Sequence, residues 1–202
     1  MIRRNLLALL ALGALFTLIA GPASAKKSTE FNPTEIKRIK VGSVDGMSDK
    51  IEGLATEWGE VRGLVDGIPG KVSAAAGEEI TSVDKAVEKI IALDLPMTVT
   101  VAPFGIKVDK EGLEGQKAEM AAVIEDLGVE LGKVPGRCTE MGTRGAELGP
   151  QAQDIATDIA ADPMLALKAT GVVTSQVKWL TQTFPHEVEE TGETVKALFE
   201  GL

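Results

Sequence analysis

The sequence predicts an all-α protein: an elongated helical bundle built on a long, kinked antiparallel helical hairpin, with a small apolar β-hairpin or loop at its tip. Two long runs of apolar residues, spaced three and four apart, indicate the helices. One short segment of alternating apolar and polar residues between the runs indicates the β-hairpin. A compact bundle of shorter helices is the alternative, because a Pro-Gly pair interrupts each run.

The first apolar run predicts one amphipathic helix of about fifty residues with a coiled-coil-like seam. Successive steps of three and four alternate along it, apart from one stutter near Ala76. Its members are Val44, Met47, Ile51, Leu54, Trp58, Val61, Val65, Ile68, Val72, Ala76, Ile80, Val83, Val87 and Ile90.

The second run has the same spacing and predicts the partner helix. Its members are Met120, Ile124, Leu127, Leu131, Val134, Cys138, Met141, Gly145, Leu148, Ala152, Ile155 and Ile159. Pro135 and Pro150 lie inside it and should kink or break a helix. Cys138 is the only cysteine. Its place on the seam favours burial, and an intermolecular disulfide is the alternative role.

Two Pro-Gly sites decide between the long hairpin and the compact bundle. If the helices fold back about Ala102, Pro69 and Pro135 lie 33 residues on either side of it, so two kinks would coincide. If each site is a true turn, the helices are shorter. The heptad phase continues across both sites, which favours kinks. In the hairpin register, residues 74–76 should lie opposite Gly128 and Gly132.

The tip hairpin is predicted over residues 95–109. It forms either a structural cap on the helical pair or a tongue that contacts a membrane or a partner. The candidate contact residues are Val99, Val101, Phe104 and Ile106.

Two further helices are expected in the last third of the chain. Asp162 followed by Pro163 is a typical helix start. An apolar seam through Val173 and Val177 continues to Phe184, and Pro185 is expected to end that helix before a final amphipathic one.

The N-terminus has the order of a secretory signal peptide, residues 1–25. Basic Arg3 and Arg4 precede an apolar stretch, and Ala23 and Ala25 fit a small-residue cleavage site. We therefore expect export, with a periplasmic or extracellular location after cleavage at Ala25. Residues 26–43 form a basic arm, and residues 44–202 are expected to be a single helical domain.

Composition argues against several classes of function. The formal net charge of −9 disfavours nucleic acid as a partner. His186 is the only histidine, so no site can use two imidazoles, and no phosphate-binding or nucleophile motif is present. We predict no enzymatic activity, no catalytic or metal-binding residues and no cofactor.

The remaining hypothesis is an exported, non-enzymatic helical protein that binds or scaffolds through an elongated helical surface. A protein partner or self-association is expected, because heptad seams support further helix pairing. The alternative is a membrane-active protein that inserts the apolar segment 95–108 at a bilayer surface. Its layout is similar to that of helical pore-forming toxins, without any shared motif or transferable residue.

Overall fold

The structure is a computed structural model that describes residues 31–101 and 103–202. Within these residues the chain is mostly α-helical and has one two-stranded sheet. The all-α class predicted from the sequence is therefore confirmed. The predicted signal peptide and the first residues of the basic arm lie outside the described residues.

The first apolar run forms three helices: α1 (Gly42–Asp66), α2 (Ile68–Ala76) and α3 (Val83–Ala92). Every member of the run is buried, so the seam was identified correctly. The prediction of one continuous helix of about fifty residues is wrong, because residues 77–82 are not helical.

The break between α2 and α3 has a local cause. Gly77 ends α2 with a left-handed φ of +66°, a conformation that glycine adopts at little cost. The Ile80 main-chain N–H then donates to the Ser73 hydroxyl at 2.7 Å. Ser82 caps α3 by accepting from the Lys85 N–H. The apolar spacing continues through the break because Ile80, although it lies in the loop, is also buried.

A glycine shortly before each Pro-Gly site, Gly67 or Gly132, has right-handed helical backbone angles. Gly67 has φ −78° and ψ −14°, and its N–H donates to the Gly63 carbonyl at 3.0 Å. Gly132 has φ −59° and ψ −21°, and its N–H donates to the Gly128 carbonyl at 3.0 Å. Neither glycine adopts the left-handed conformation of a glycine turn.

The second run forms α4 (Gln116–Leu131) and α5 (Val134–Ala161), and most of its members are buried. Pro135 lies in the first turn of α5, where its missing N–H is no loss. Pro150 lies inside α5 and does not end it.

The last third forms α6 (Pro163–Lys178), a π-helical turn (Trp179–Thr183) and α7 (Phe184–Gly201). The Asp162 carboxylate accepts from the N–H groups of Met164 and Leu165, as its sequence position predicts. Pro185 does not end a helix, contrary to prediction. The wider π turn ends with the Phe184 N–H donating to the Trp179 carbonyl, and this loosened turn makes room for the proline ring.

The described chain divides into two compact units. The hairpin unit comprises Arg62–Gly136, apart from residue 102, together with Gly192–Leu202. The helical unit comprises residues 31–61 and Arg137–Thr191.

The hairpin unit encloses a small cavity that is lined by aliphatic side chains. Side chains from α2, α3, β2 (Phe104–Val108), α4 and the end of α7 line it. Ile124 and Leu131 of α4 are almost completely buried there.

The helical unit contains a cluster of Val44, Ile159, Ala169 and Val173, on which Ile39 and Val41 of the arm pack. Elsewhere in this unit a Cβ at Gly145 would lie 2.8 Å from the Phe184 ring, so a larger residue at this seam position would force that buried ring to shift.

Candidate functional site

The hairpin consists of β1 (Met97–Val101) and β2 (Phe104–Val108), and both strands lie within the predicted segment 95–109. They are antiparallel, with Met97 opposite Val108 and Val99 opposite Ile106. Because side chains alternate along a strand, the register divides the hairpin into two faces. One face is apolar: Met97, Val99, Val101, Phe104, Ile106 and Val108. The other carries Thr98, Thr100, Gly105 and Lys107.

The outer edge of β2 lies directly against α4. A Cβ at Gly128 would be 2.8 Å from both the main-chain nitrogen and the Cβ of Ile106, and one at Gly132 would be 2.6 Å from the Phe104 carbonyl oxygen. These glycines therefore admit a strand, and the prediction that they face residues 74–76 is wrong. The strand approaches more closely than a helix could, because its edge presents main chain rather than side chains.

A carboxylate also holds this edge. The Val108 N–H donates to Glu125 of α4 at 3.1 Å, and Lys110 pairs with the same carboxylate at 2.6 Å. The hydrogen bond from Lys110, followed by that from Val108, lowers the pKa of Glu125. Glu125 is thus ionised near neutral pH and accepts from a strand N–H that has no strand partner.

The outer edge of β1 is different. The Asp109 N–H donates to the Pro96 carbonyl at 2.9 Å, so Pro96 and Asp109 are a hydrogen-bonded pair. Hydrogen-bonded and non-hydrogen-bonded pairs alternate along an antiparallel ladder, which makes Met97–Val108 and Val99–Ile106 non-hydrogen-bonded pairs. The N–H and C=O groups of Met97 and Val99 consequently point away from β2. Among the described residues the sheet has only two strands, so no further strand meets them.

The four predicted contact residues do not share one exposed surface. Val101 is 48% exposed and Val99 is half-buried. Phe104 is half-buried and packs on Phe199, with 5.3 Å between the ring centroids. Ile106 is buried against α4. Of the four residues, only Val101 is exposed.

Cys138 lies in the helical unit and is 5% exposed. Burial raises the pKa of its thiol to about 11, with a smaller opposing effect of Arg137. The thiol is thus protonated and inaccessible near neutral pH, and an intermolecular disulfide at Cys138 would require this region to open.

Sequence reasoning missed a second apolar surface at the start of α6. Met164 is 67% exposed and Leu167 is 87% exposed, and they lie three residues apart on one side of the helix. The sequence did contain a signal for this exposure: Met164 and Leu167 do not belong to the apolar seam through Val173 and Val177.

Other sites find no support in the part of the chain that the structure describes. No helix there is long and apolar enough to cross a membrane, and no three His, Cys, Asp or Glu side chains gather as a metal site would require. Comparison with known protein families, curated proteins and solved structures finds no match.

Proposed function

We propose that this chain is an exported, non-enzymatic helical protein that acts by binding or scaffolding through an elongated helical surface. The observation that best supports a binding role is the exposure of Met164 and Leu167 on α6. Complete burial of each such side chain by a partner contributes about 1.5–3 kcal/mol of favourable transfer free energy. Both belong to a capped helix in the helical unit, which offers a partner an ordered surface.

Site-specific photo-cross-linking in the source cells tests this role. A photoreactive amino acid at position 167 should give one defined protein adduct, and Met164→Asp should reduce its yield at least fivefold. The matched control carries the same amino acid at Thr143, which is exposed on α5. Equal adduct patterns at both positions would contradict a binding surface here.

The elongated, kinked helical hairpin is part of this proposal. The helical backbone at Gly67 and Gly132 supports kinks over tight turns. Small-angle scattering of the chain from residue 26 onwards should give a radius of gyration well above the roughly 16 Å of a compact domain of that length. A value near 16 Å would favour the compact bundle.

The membrane-active alternative depends on the exposed part of the hairpin, Val99 and Val101. Vesicle flotation, with neutral and with anionic lipid, separates it from the leading proposal. We expect no flotation, because Phe104 and Ile106 are engaged within the hairpin unit. Flotation that Val101→Asp abolishes, and Leu167→Asp does not, would replace the binding role with membrane contact.

A further inference from the structure

We propose that the outer edge of β1 pairs antiparallel with β1 of a second copy of this chain, joining two hairpins into one four-stranded sheet. The inference deepens the proposed binding role by naming a partner, and it uses a different surface from that of Met164 and Leu167. It depends on three observations: main-chain groups that face outwards, an edge strand without charge, proline or bulge, and a strand sequence that complements itself.

The first observation is the difference between the two edges of the sheet. On β2 the Val108 N–H has a carboxylate partner, and α4 covers the main chain of Ile106 and Phe104. On β1 the N–H and C=O of Met97 and Val99 point away from the ladder, and within the described residues no strand lies beyond them. Main-chain donors and acceptors arranged in this way are a template for another strand.

The second observation is that β1 lacks three of the features by which edge strands avoid pairing. Those features are charged side chains, an internal proline and a bulge. The strand reads Met-Thr-Val-Thr-Val, without charge or proline, and its ladder with β2 has no bulge. The exposed Val101 adds an apolar side chain that a neighbouring strand would cover.

The third observation selects a second copy as the partner. When two β1 strands pair antiparallel about a two-fold axis at Val99, Thr98 of one copy lies opposite Thr100 of the other. Met97 then lies opposite Val101. The apolar face of each hairpin continues into the other, and so does the threonine face. Paired threonines and paired β-branched residues stabilise neighbouring strands. Every contact occurs twice, as a closed two-fold interface requires.

Charge substitutions test the pairing in the chain expressed from its full-length coding sequence. Light scattering over a concentration series should show a monomer–dimer equilibrium that shifts towards dimer as salt screens the net negative charge. Thr98→Lys with Thr100→Lys places lysines opposite each other in the dimer, and should weaken dimerisation at least tenfold. Thr98→Glu with Thr100→Glu should do the same.

Mixing the lysine and glutamate variants should restore the dimer, because each lysine then faces a glutamate. This rescue also shows that neither variant is simply misfolded. The matched control, Thr170→Lys with Thr174→Lys, makes the same change at exposed positions on α6 and should leave dimerisation unchanged. A parent chain that stays monomeric at all concentrations, or a dimer that the β1 substitutions leave intact, would overturn the proposal.

Disulfide trapping tests the register. A Thr98→Cys chain mixed with a Thr100→Cys chain should form the mixed disulfide in at least fivefold excess over either symmetric one. The statistical ratio, with the mixed disulfide at twice the amount of each symmetric one, would contradict the two-fold axis at Val99. A negative result in these experiments does not affect cross-linking at position 167, so failure of the β1 pairing is distinguishable from failure of the binding role.

Discussion

Gly128 illustrates at the scale of one residue how a strand can lie directly on a helix. The residue is inside α4, where glycine costs about 1 kcal/mol relative to alanine. In return the edge of β2 approaches until its main chain occupies the place of a side chain. The sequence predicted residues 74–76 as the neighbours of this glycine, and its actual neighbour is Ile106.

We expect Gly128→Ala to destabilise the protein by about 1–3 kcal/mol, because the new methyl group overlaps Ile106. Gly63→Ala is the matched control. That glycine is also inside a helix, but a Cβ there meets nothing within 4 Å, so the substitution should stabilise by up to about 1 kcal/mol. Urea unfolding measures both. Stabilisation by both substitutions would contradict the close approach of Ile106 to Gly128.

Cys138 permits a second test at this scale. Because its thiol is buried and its pKa is raised to about 11, modification by an aromatic disulfide reagent at pH 8 should be at least a hundredfold slower in the native protein than in denaturant. Absorbance of the released thiolate follows the reaction. Rapid modification of the native protein would instead support the predicted role of Cys138 in an intermolecular disulfide.

At the scale of elements, the described part of the basic arm is attached to the acidic side of α1. Arg38 contacts Asp49 at 2.6 Å and Glu52 at 2.7 Å. Glu52 also accepts from the main-chain N–H of the buried Ile36 at 2.8 Å. Hydrogen bonds from Arg38 and then Ile36 lower the pKa of Glu52.

This attachment should depend on pH. A carboxyl whose pKa is lower in the folded state stabilises that state above its unfolded pKa of about 4.3, and the contribution is lost as pH falls through the folded pKa. Hydrogen exchange at the Ile36 amide should therefore show reduced protection at pH 3 relative to pH 6, after correction for intrinsic rates. Arg38→Gln should reduce protection at pH 6 and Lys37→Gln should not. Protection of the Ile36 amide that changes neither at pH 3 nor in the Arg38→Gln variant would contradict the attachment.

The π turn and Phe184 belong to one packing arrangement. Phe184 is completely buried, lies against Gly145 of α5 and stacks on Trp179 with 4.6 Å between the ring centroids. The wider turn sets the direction in which α7 begins. The sequence predicted Phe184 on a seam, but a local proline rule could not anticipate that a helix would continue through Pro185.

Phe184→Ala should cost about 3–5 kcal/mol of unfolding free energy, because it leaves a cavity that the helices cannot fill completely. Leu167→Ala removes a side chain that is 87% exposed and should change stability by less than about 0.5 kcal/mol. Chemical denaturation followed by circular dichroism compares the two variants. Similar losses in both would mean that Phe184 is not a core residue.

At the scale of the whole molecule, the leader remains a prediction from the sequence. Intact mass spectrometry of the exported protein should show a chain that begins at Lys26, because Ala23 and Ala25 supply the small residues that signal peptidases require. Ala25→Phe should block cleavage, and Lys27→Gln should not. An exported chain that retains Met1 would contradict the signal peptide.

The sequence alone determined the helical class, the buried seams, the position of the β-hairpin and the cap at Asp162. Each follows from a period or a short-range rule that acts within a few residues. Only the tertiary structure decided that β2, and not a helix, lies against Gly128, and that no strand among the described residues lies beyond β1. Those outcomes depend on which main chain approaches which surface, and contacts between residues distant in the sequence have no period to reveal them.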